Sequence, residues 1–197
     1  MTIGRVIAAV VPIKSFTSAK TRMSARLDPE QRACLARVSA ERVLRAVALC
    51  PDFDWRIAVV EDEPASVMAL QLEFEVLLRP DLVGQSATVD AGFDIARSRG
   101  ADTVLTVSAD CPLVRPRDLQ DLLRPAAPVV VAVSDREGRG TNALRLSPPV
   151  GMRLHFGPDS LAQHRREAEA LGTEFRVVDN ARIRLDLDTG DDLDALD

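Results

Sequence analysis

Val6-Ile-Ala-Ala-Val-Val11, running straight into Pro12-Ile-Lys-Ser-Phe-Thr-Ser-Ala-Lys20, is the stretch on which the fold turns. Six apolar residues rich in β-branched side chains and stopped by a proline are too few for a helix of ordinary length and suit a buried strand. The run could pass for the core of a secretion signal, but it is short and meets Pro12 and Lys14 with no cleavage site. Outward from it, short apolar runs alternate with longer stretches of helical period: Pro29–Leu49, then Trp55–Val60 and Glu63–Leu70, Phe74–Leu78 and Ser86–Ser98, Thr103–Val107 and Pro116–Leu123, and Val129–Val133. That alternation is the mark of βαβ units and predicts an α/β fold with a mostly parallel central sheet, in a single domain over residues 1–197. In Pro29–Leu49 the apolar stripe is Cys34, Leu35, Val38, Val43 and Leu44. Pro125-Ala-Ala-Pro128 reads as a loop, Asp135–Gly140 as a glycine-bearing turn, Asn142–Leu146 as a strand, and Phe156-Gly-Pro-Asp-Ser160 as the start of a helix running to about Leu171, capped by Asp159 or Ser160. Glu174–Val178 and Ile183–Asp188 read as strands, followed by a short acidic helix.

Composition bounds the partners. A net charge of −5 advertises no basic face for nucleic acid or an anionic membrane surface. No apolar stretch reaches the roughly 20 residues that span a bilayer, and Cys34, Cys50 and Cys111 have no metal-like spacing. These features predict a soluble, cytoplasmic protein with reduced thiols and leave the oligomeric state open. A polyanionic ligand must then be held locally, by a few cations, amides or a metal.

The basic residues are 2 lysines and 23 arginines, 25 in all, and both lysines, Lys14 and Lys20, fall in the loop after the first strand, with Arg22 beyond. Lysine is a rotatable point charge that follows phosphate oxygens, whereas arginine is a planar fork. With no glycine between residues 5 and 83, this loop is neither a Walker A loop nor a dinucleotide fingerprint, and side-chain charge must do more of the holding. Thr103–Val107 leads to Asp110, which serves either as a magnesium ligand at a strand end or as a turn residue. Arg184-Leu-Asp-Leu-Asp188 alternates, so Asp186 and Asp188 share a face where like charges repel unless water or a cation separates them. A solvated strand face is equally compatible with that pattern. A helix beginning after Gly157-Pro158 could offer amides to a carboxylate or phosphate, or be capped in the ordinary way. His155 and His164 lack further ligands of zinc spacing, and no Ser-His-Asp order is present.

Val11-Pro-Ile-Lys14, Ala19-Lys-Thr-Arg-Met23, Ala109-Asp-Cys-Pro-Leu113, Gly140-Thr-Asn-Ala-Leu144, Phe156-Gly-Pro-Asp-Ser160 and Leu185-Asp-Leu-Asp-Thr189, in that order, resemble the CofC/FbiD guanylyltransferases of deazaflavin coenzyme F-420 biosynthesis. The resemblance implies a Rossmann-like nucleotidyltransferase fold of the molybdopterin-guanylyltransferase type. It implies transfer of GMP from GTP to phosphoenolpyruvate, 2-phospho-L-lactate or 3-phosphoglycerate, with magnesium (or manganese) as cofactor. By motif, Lys14, Lys20 and Arg22 face the triphosphate, Gly84 and Ser86 lie near the nucleoside, Asp110, Asp186 and Asp188 hold the metal, and Thr141, Gly157 and Ser160 line the acid pocket. Three positions depart from the family pattern: Cys111 for leucine, Gly84-Gln-Ser86 for Leu-Asn, and Gly190 for proline.

A phosphate nucleophile is already anionic, so the attack implied needs charge screening and alignment rather than a general base. Phosphoenolpyruvate is the favoured acid because the Gly-Thr and Phe-Gly-Pro-Asp-Ser segments most resemble the bacterial branch. A nucleotidyltransferase acting on a sugar or pterin phosphate, and an idle nucleotide-binding scaffold, are the alternative readings.

Overall fold

In a computed structural model describing residues 5–126, 128–148 and 151–195, β1 (Ile7–Ile13) leads through two single 3-10 turns to α1 (Pro29–Ala48), β2 (Trp55–Val60), α2 (Glu63–Gln71) and β3 (Glu75–Leu78). Next come α3 (Gln85–Ser98), β4 (Thr103–Val107), α4 (Pro116–Leu123), β5 (Val129–Ser134) and β6 (Thr141–Ser147). The chain continues with α5 (Ser160–Ala170), β7 (Glu174–Val177), α6 (Ala181–Arg184) and α7 (Gly190–Asp194). The strands form one seven-stranded sheet in the order β3-β2-β1-β4-β6-β5-β7. All neighbours are parallel except β6, which runs against β4 and β5, so the sheet is mostly parallel, as the alternation predicts.

The period-two side-chain alternation of β1 feeds two cores. Ala9, Val11 and Ile13 pack with Ala40, Val43, Leu44 and Val47 of α1 and Leu119 and Leu122 of α4; Ala8 and Val10 pack with Val89, Phe93 and Ala96 of α3 on the other side. Helices therefore cover both faces, which is why the central strands read as continuous apolar runs. α1 begins at a capping box in which the Gln31 N–H donates to Asp28 Oδ1 at 2.8 Å, with Pro29 in the first turn.

Three local expectations are corrected. The buried stripe of α1 is Ala36, Ala40, Val43, Leu44 and Val47, while Cys34 and Val38 face outward, because small alanines let the helix lie close to the sheet. Ile183–Asp188 is not a strand: Asn180 accepts the N–H groups of Arg182 and Ile183, winds the segment into α6, and leaves 185–188 without a ladder partner. The alternation survives in burial, since Ile183, Leu185 and Leu187 are buried while Asp186 and Asp188 are only partly so. Asp159 does not cap α5 with its side chain; it sits in a left-handed conformation at φ 55°. Finally, Ala127 of the expected 125–128 loop and residues 1–4, 149–150 and 196–197 of the 1–197 span lie outside the described residues.

Gly92 of α3 faces the sheet so closely that a Cβ there would strike the Cγ atoms of Val10 and Val59, both stiff β-branched side chains. Gly92→Ala is therefore expected to lower unfolding free energy by about 1–3 kcal/mol through overpacking, reversing the roughly 1 kcal/mol that alanine gains in helix propensity. Urea unfolding of the two proteins checks this; a variant as stable as the parent would show that α3 can move off the sheet.

Candidate active site

β1 sends the chain one way, to β2 and β3, whereas β4 returns on the other side of β1, so the carboxyl ends of β1 and β4 flank a switch point, the usual ligand crevice of an open α/β sheet. The reversed β6 brings its first residues to the same end, where the Ser108 N–H donates to the Asn142 carbonyl at 2.8 Å. Three segments thus converge: the loop after β1, the turn after β4 and the start of β6.

The loop after β1 is anchored from β2's end, with the Ser15 N–H donating to Glu61 Oε2 at 3.0 Å and the Phe16 N–H to Asp62 Oδ2 at 3.2 Å. Lys14 projects from it exposed, and among the described residues it has no ion-pair or hydrogen-bond partner. Lys20 is different. It adopts φ 58°, its side chain is buried, and its ammonium donates to Asp110 Oδ1 and to the Leu187 carbonyl. Arg22 Nη1 donates to Asp188 Oδ2 at 2.7 Å. The segment 183–189 is held further by Leu187 N–H to the Asp110 carbonyl (2.9 Å), by Asn142 Nδ2 to the Ile183 carbonyl (2.9 Å), and by Asp192, which accepts from the N–H groups of Asp188 and Thr189. Cys111 lies buried beneath it, its thiol donating to the Ile183 carbonyl. The leucine-to-cysteine departure from the family pattern is thereby a packing position with one added hydrogen bond.

Two adjoining cavities open over these residues, of about 280 and 370 Å³. The first lies over β1 and α1 and reaches Lys20, Gln85 and Thr88. The second extends to Thr141, Asn142, Gly157, Ser160 and Asp186. They share Lys14, Arg22, Gln85, Ser108, Asp110 and Asp188. Of the expected site residues, only Gly84 and Ser86 line neither cavity: Ser86 Oγ accepts the Phe156 N–H at 2.8 Å and Gly84 is the N-cap residue that begins α3. Gln85 between them faces the cleft, since successive residues entering a helix point about 100° apart.

Around the second cavity the hydroxyls of Thr141 and Ser160 lie 3.1 Å apart, and Thr141 Oγ1 lies 3.1 Å from His164 Nδ1. His164 is fully buried and its Nε2 accepts the His155 N–H at 3.0 Å. Burial, with the charge of His155, pushes its pKa down to about 4. Sequence reasoning treated this histidine only as a metal candidate; its spacing of four from Ser160, which sets both side chains on one helix face, is the signal that links it to the pocket. α5 does not open with a row of free amides, because the Ser160 N–H bonds the Gly157 carbonyl and the Leu161 N–H bonds the Arg139 carbonyl. The N–H groups of Gly157 and Asp159 are left, among the described residues, without a protein acceptor.

Asp186 is mostly buried, and that burial, reinforced by the charges of Asp110 and Asp188, lifts its pKa to about 6 despite a hydrogen bond from Asn142. Still, among the described residues no three His, Cys, Asp or Glu side chains converge as a metal site. The expected three-carboxylate site is not preformed, because Lys20 and Arg22 hold Asp110 and Asp188.

The fold is the Rossmann-like fold of nucleotidyltransferases, with its crevice at the switch point. The likeness to a solved structure is close: a putative nucleotide-diphospho-sugar transferase from Desulfovibrio desulfuricans superposes with a TM-score of 0.76 over 98% of this chain and 87% of that one, at 15% identity. A family model described as guanylyl transferase CofC-like matches residues 7–196, and the chain belongs to that family. It is 38% identical to a phosphoenolpyruvate guanylyltransferase of Conexibacter woesei over 191 residues, 95% of this chain and 86% of that one. To a 2-phospho-L-lactate guanylyltransferase of Methanothermobacter thermautotrophicus it is 31% identical, over 94% and 81% of the two chains. Among the described residues no helix is long and apolar enough to cross a membrane.

The buried imidazole sets a pH dependence of stability. With a native pKa near 4 against 6.5 unfolded, His164 binds fewer protons folded than unfolded between those values, so its contribution is complete above pH 6.5 and is lost as pH falls toward 4. That contribution is about 3 kcal/mol; Asp186, shifted upward, works in the opposite sense as pH rises from about 4 to 6. The difference in unfolding free energy between the parent and His164→Asn therefore isolates the histidine, and is expected to shrink steadily from pH 7 to pH 4.5 in denaturant titrations. A constant difference would mean that the ring is charged or solvated in the native state.

Proposed function

We propose that this nucleotidyltransferase moves GMP from GTP to a small phosphorylated carboxylic acid, releases pyrophosphate, and serves deazaflavin coenzyme F-420 biosynthesis in the cytoplasm as a single domain. The observation that carries this reading is the pair of cavities meeting at Lys14, Arg22, Asp110 and Asp188: one holds a nucleotide, the other an acid, and the reacting phosphates come together over the shared residues.

Lys14 and Arg22 supply mobile and forked positive charge where the triphosphate and the incoming phosphate crowd together. A phosphate oxygen of the acid attacks the α-phosphorus, the bond from the α-phosphorus to the bridging oxygen breaks, and pyrophosphate leaves. No base is needed, because the attacking oxygen carries no proton at neutral pH. The hard oxygen donors of Asp110, Asp186 and Asp188 suit magnesium or manganese, completed by phosphate oxygens in place of a preformed cage. Such an ion, when bound, screens the charge of the crowded phosphates. Thr141, Ser160 and the free N–H groups at Gly157 and Asp159 receive the acid's anionic oxygens. Lys20 positions Asp110 and the 185–189 segment.

Phosphoenolpyruvate is the favoured acid, supported by the 38% identity to a phosphoenolpyruvate guanylyltransferase against 31% to a phospholactate enzyme. Competition among phosphoenolpyruvate, 2-phospho-L-lactate and 3-phosphoglycerate at equal concentration with GTP, read by mass spectrometry, is expected to give the phosphoenolpyruvate adduct in excess. A larger yield from either other acid reassigns the substrate, and reaction with none removes the phospho-acid reading.

The two lysines should separate in their effects. Lys14→Ala is expected to lower kcat/KM on the order of a hundredfold with unchanged thermal stability, as for loss of one transition-state donor. Lys20→Ala is expected to lose both activity and several degrees of Tm, because a partly buried carboxylate is left unpaired. Steady-state kinetics with thermal melts check the pair; an inactive but fully stable Lys20 variant would place its ammonium on the substrate instead of on Asp110.

Chelator is expected to abolish turnover, and Asp188→Asn to raise the magnesium concentration needed for half activity about tenfold, with little change in melting temperature. Turnover that survives excess chelator rules out the metal.

A further inference from the structure

His164 makes no contact with either cavity in its own right, yet it governs what the second cavity offers. Its Nε2 faces the His155 N–H, a group that can only donate. Nε2 must therefore be the bare nitrogen of a neutral ring, and the ring proton sits on Nδ1, 3.1 Å from Thr141 Oγ1. Phe156 packs edge-on against the ring at 5.0 Å between centroids and helps fix its orientation.

Thr141 Oγ1 accordingly receives a hydrogen bond from the imidazole. The hydroxyls of Thr141 and Ser160 then hold two protons between them, and Ser160 Oγ donates its own to Thr141 Oγ1 at 3.1 Å. The other has no remaining acceptor among the described groups bonded to the pair, and both residues line the second cavity. With the opposite tautomer, Thr141 would give its proton to the ring and Ser160 its proton to Thr141, so the cavity would meet only lone pairs and repel an anion.

We propose that His164 is a positioning residue for the acceptor: its fixed Nδ1–H tautomer commits the Thr141–Ser160 pair to present one hydroxyl donor into the cavity, where it binds an anionic oxygen of the phospho-acid. This rests on the reading of the second cavity as the acid's pocket.

Two substitutions separate this role from mere packing. His164→Asn places an amide N–H₂ near the position of Nδ1 and keeps a donor to Thr141 while abandoning the His155 N–H. His164→Gln reaches the position of Nε2, keeps an acceptor for His155 and leaves Thr141 without its donor. The glutamine variant is expected to raise KM for phosphoenolpyruvate about tenfold, with KM for GTP and kcat within about threefold of the parent, while the asparagine variant stays within about threefold in all three. In a Thr141→Val background the glutamine substitution should add nothing further to the KM for the acid. The proposal is overturned if the two variants raise this KM alike, if KM for GTP rises in step, or if the effects of His164→Gln and Thr141→Val simply add. Calorimetric titration with phosphoenolpyruvate alone keeps the reading of the reaction separate. Parent protein that binds the acid tenfold better than the glutamine variant but does not turn it over keeps this inference and loses the reaction. Variants that bind as the parent does lose the inference and leave the reaction standing, and a parent that binds no acid loses both.

Discussion

A single buried ammonium ties the site together. Lys20 reaches from the loop after β1 to the carboxylate of Asp110 at the end of β4 and to the carbonyl of Leu187 in the segment after α6, so three stretches of chain more than 75 residues apart are fixed through one group. Its left-handed backbone, uncommon for a residue with a side chain, turns the ammonium inward while its neighbours Lys14 and Arg22 remain at the rim. Removing an amine from water is costly unless its donors are met, and here a carboxylate and a carbonyl meet them. The carboxylates of the crevice owe their placement to this arrangement, since Asp110 gives its backbone carbonyl to Leu187 as well as its side chain to Lys20.

The reversal of β6 is the second architectural decision. A sheet built wholly of parallel strands would bring only strand ends and following loops to the crevice. Running β6 against β4 places the beginning of a strand there instead, with Thr141 lining the second cavity and the amide of Asn142 reaching across to the carbonyls of Ile183 and Arg184. The turn that makes the reversal possible is closed by Asp135, which accepts the N–H groups of Arg139 and Gly140. α5 then docks so that Ser160 and His164, one helical turn apart, complete the wall. The first cavity is thus lined by β1, α1 and α3 as well as by the loop after β1, and the second by the starts of β6 and α5 with the turns that precede them.

A chain of net charge −5 cannot attract a triphosphate by its overall field. At the crevice it sets Lys14, Lys20 and Arg22 against Asp110 and Asp188, with Lys20 paired to Asp110 and Arg22 to Asp188. Asp186, partly buried, has its pKa raised to about 6 by that burial first and by the charges of Asp110 and Asp188 second.

Much of this was legible in the chain itself. Apolar runs such as Val6–Val11 and Thr103–Val107, spaced by amphipathic stretches, dictate an α/β sheet because only strands covered on both faces can be so uniformly apolar. The isolation of two lysines marked the loop after β1, and the alternation Leu185-Asp-Leu-Asp188 set which side chains are buried, since that pattern is local. What the chain could not disclose depends on partners distant in sequence. Whether 183–188 joins the sheet was decided by Asn180 and by the absence of a free strand beside it, and whether a lysine faces substrate or a carboxylate by a backbone angle at Lys20. The direction of β6, the inward turn of Ser86 toward Phe156, and the proton on His164 are likewise set by groups that meet only after folding, because hydrogen bonding and burial act on atoms near in space however far apart they lie along the chain.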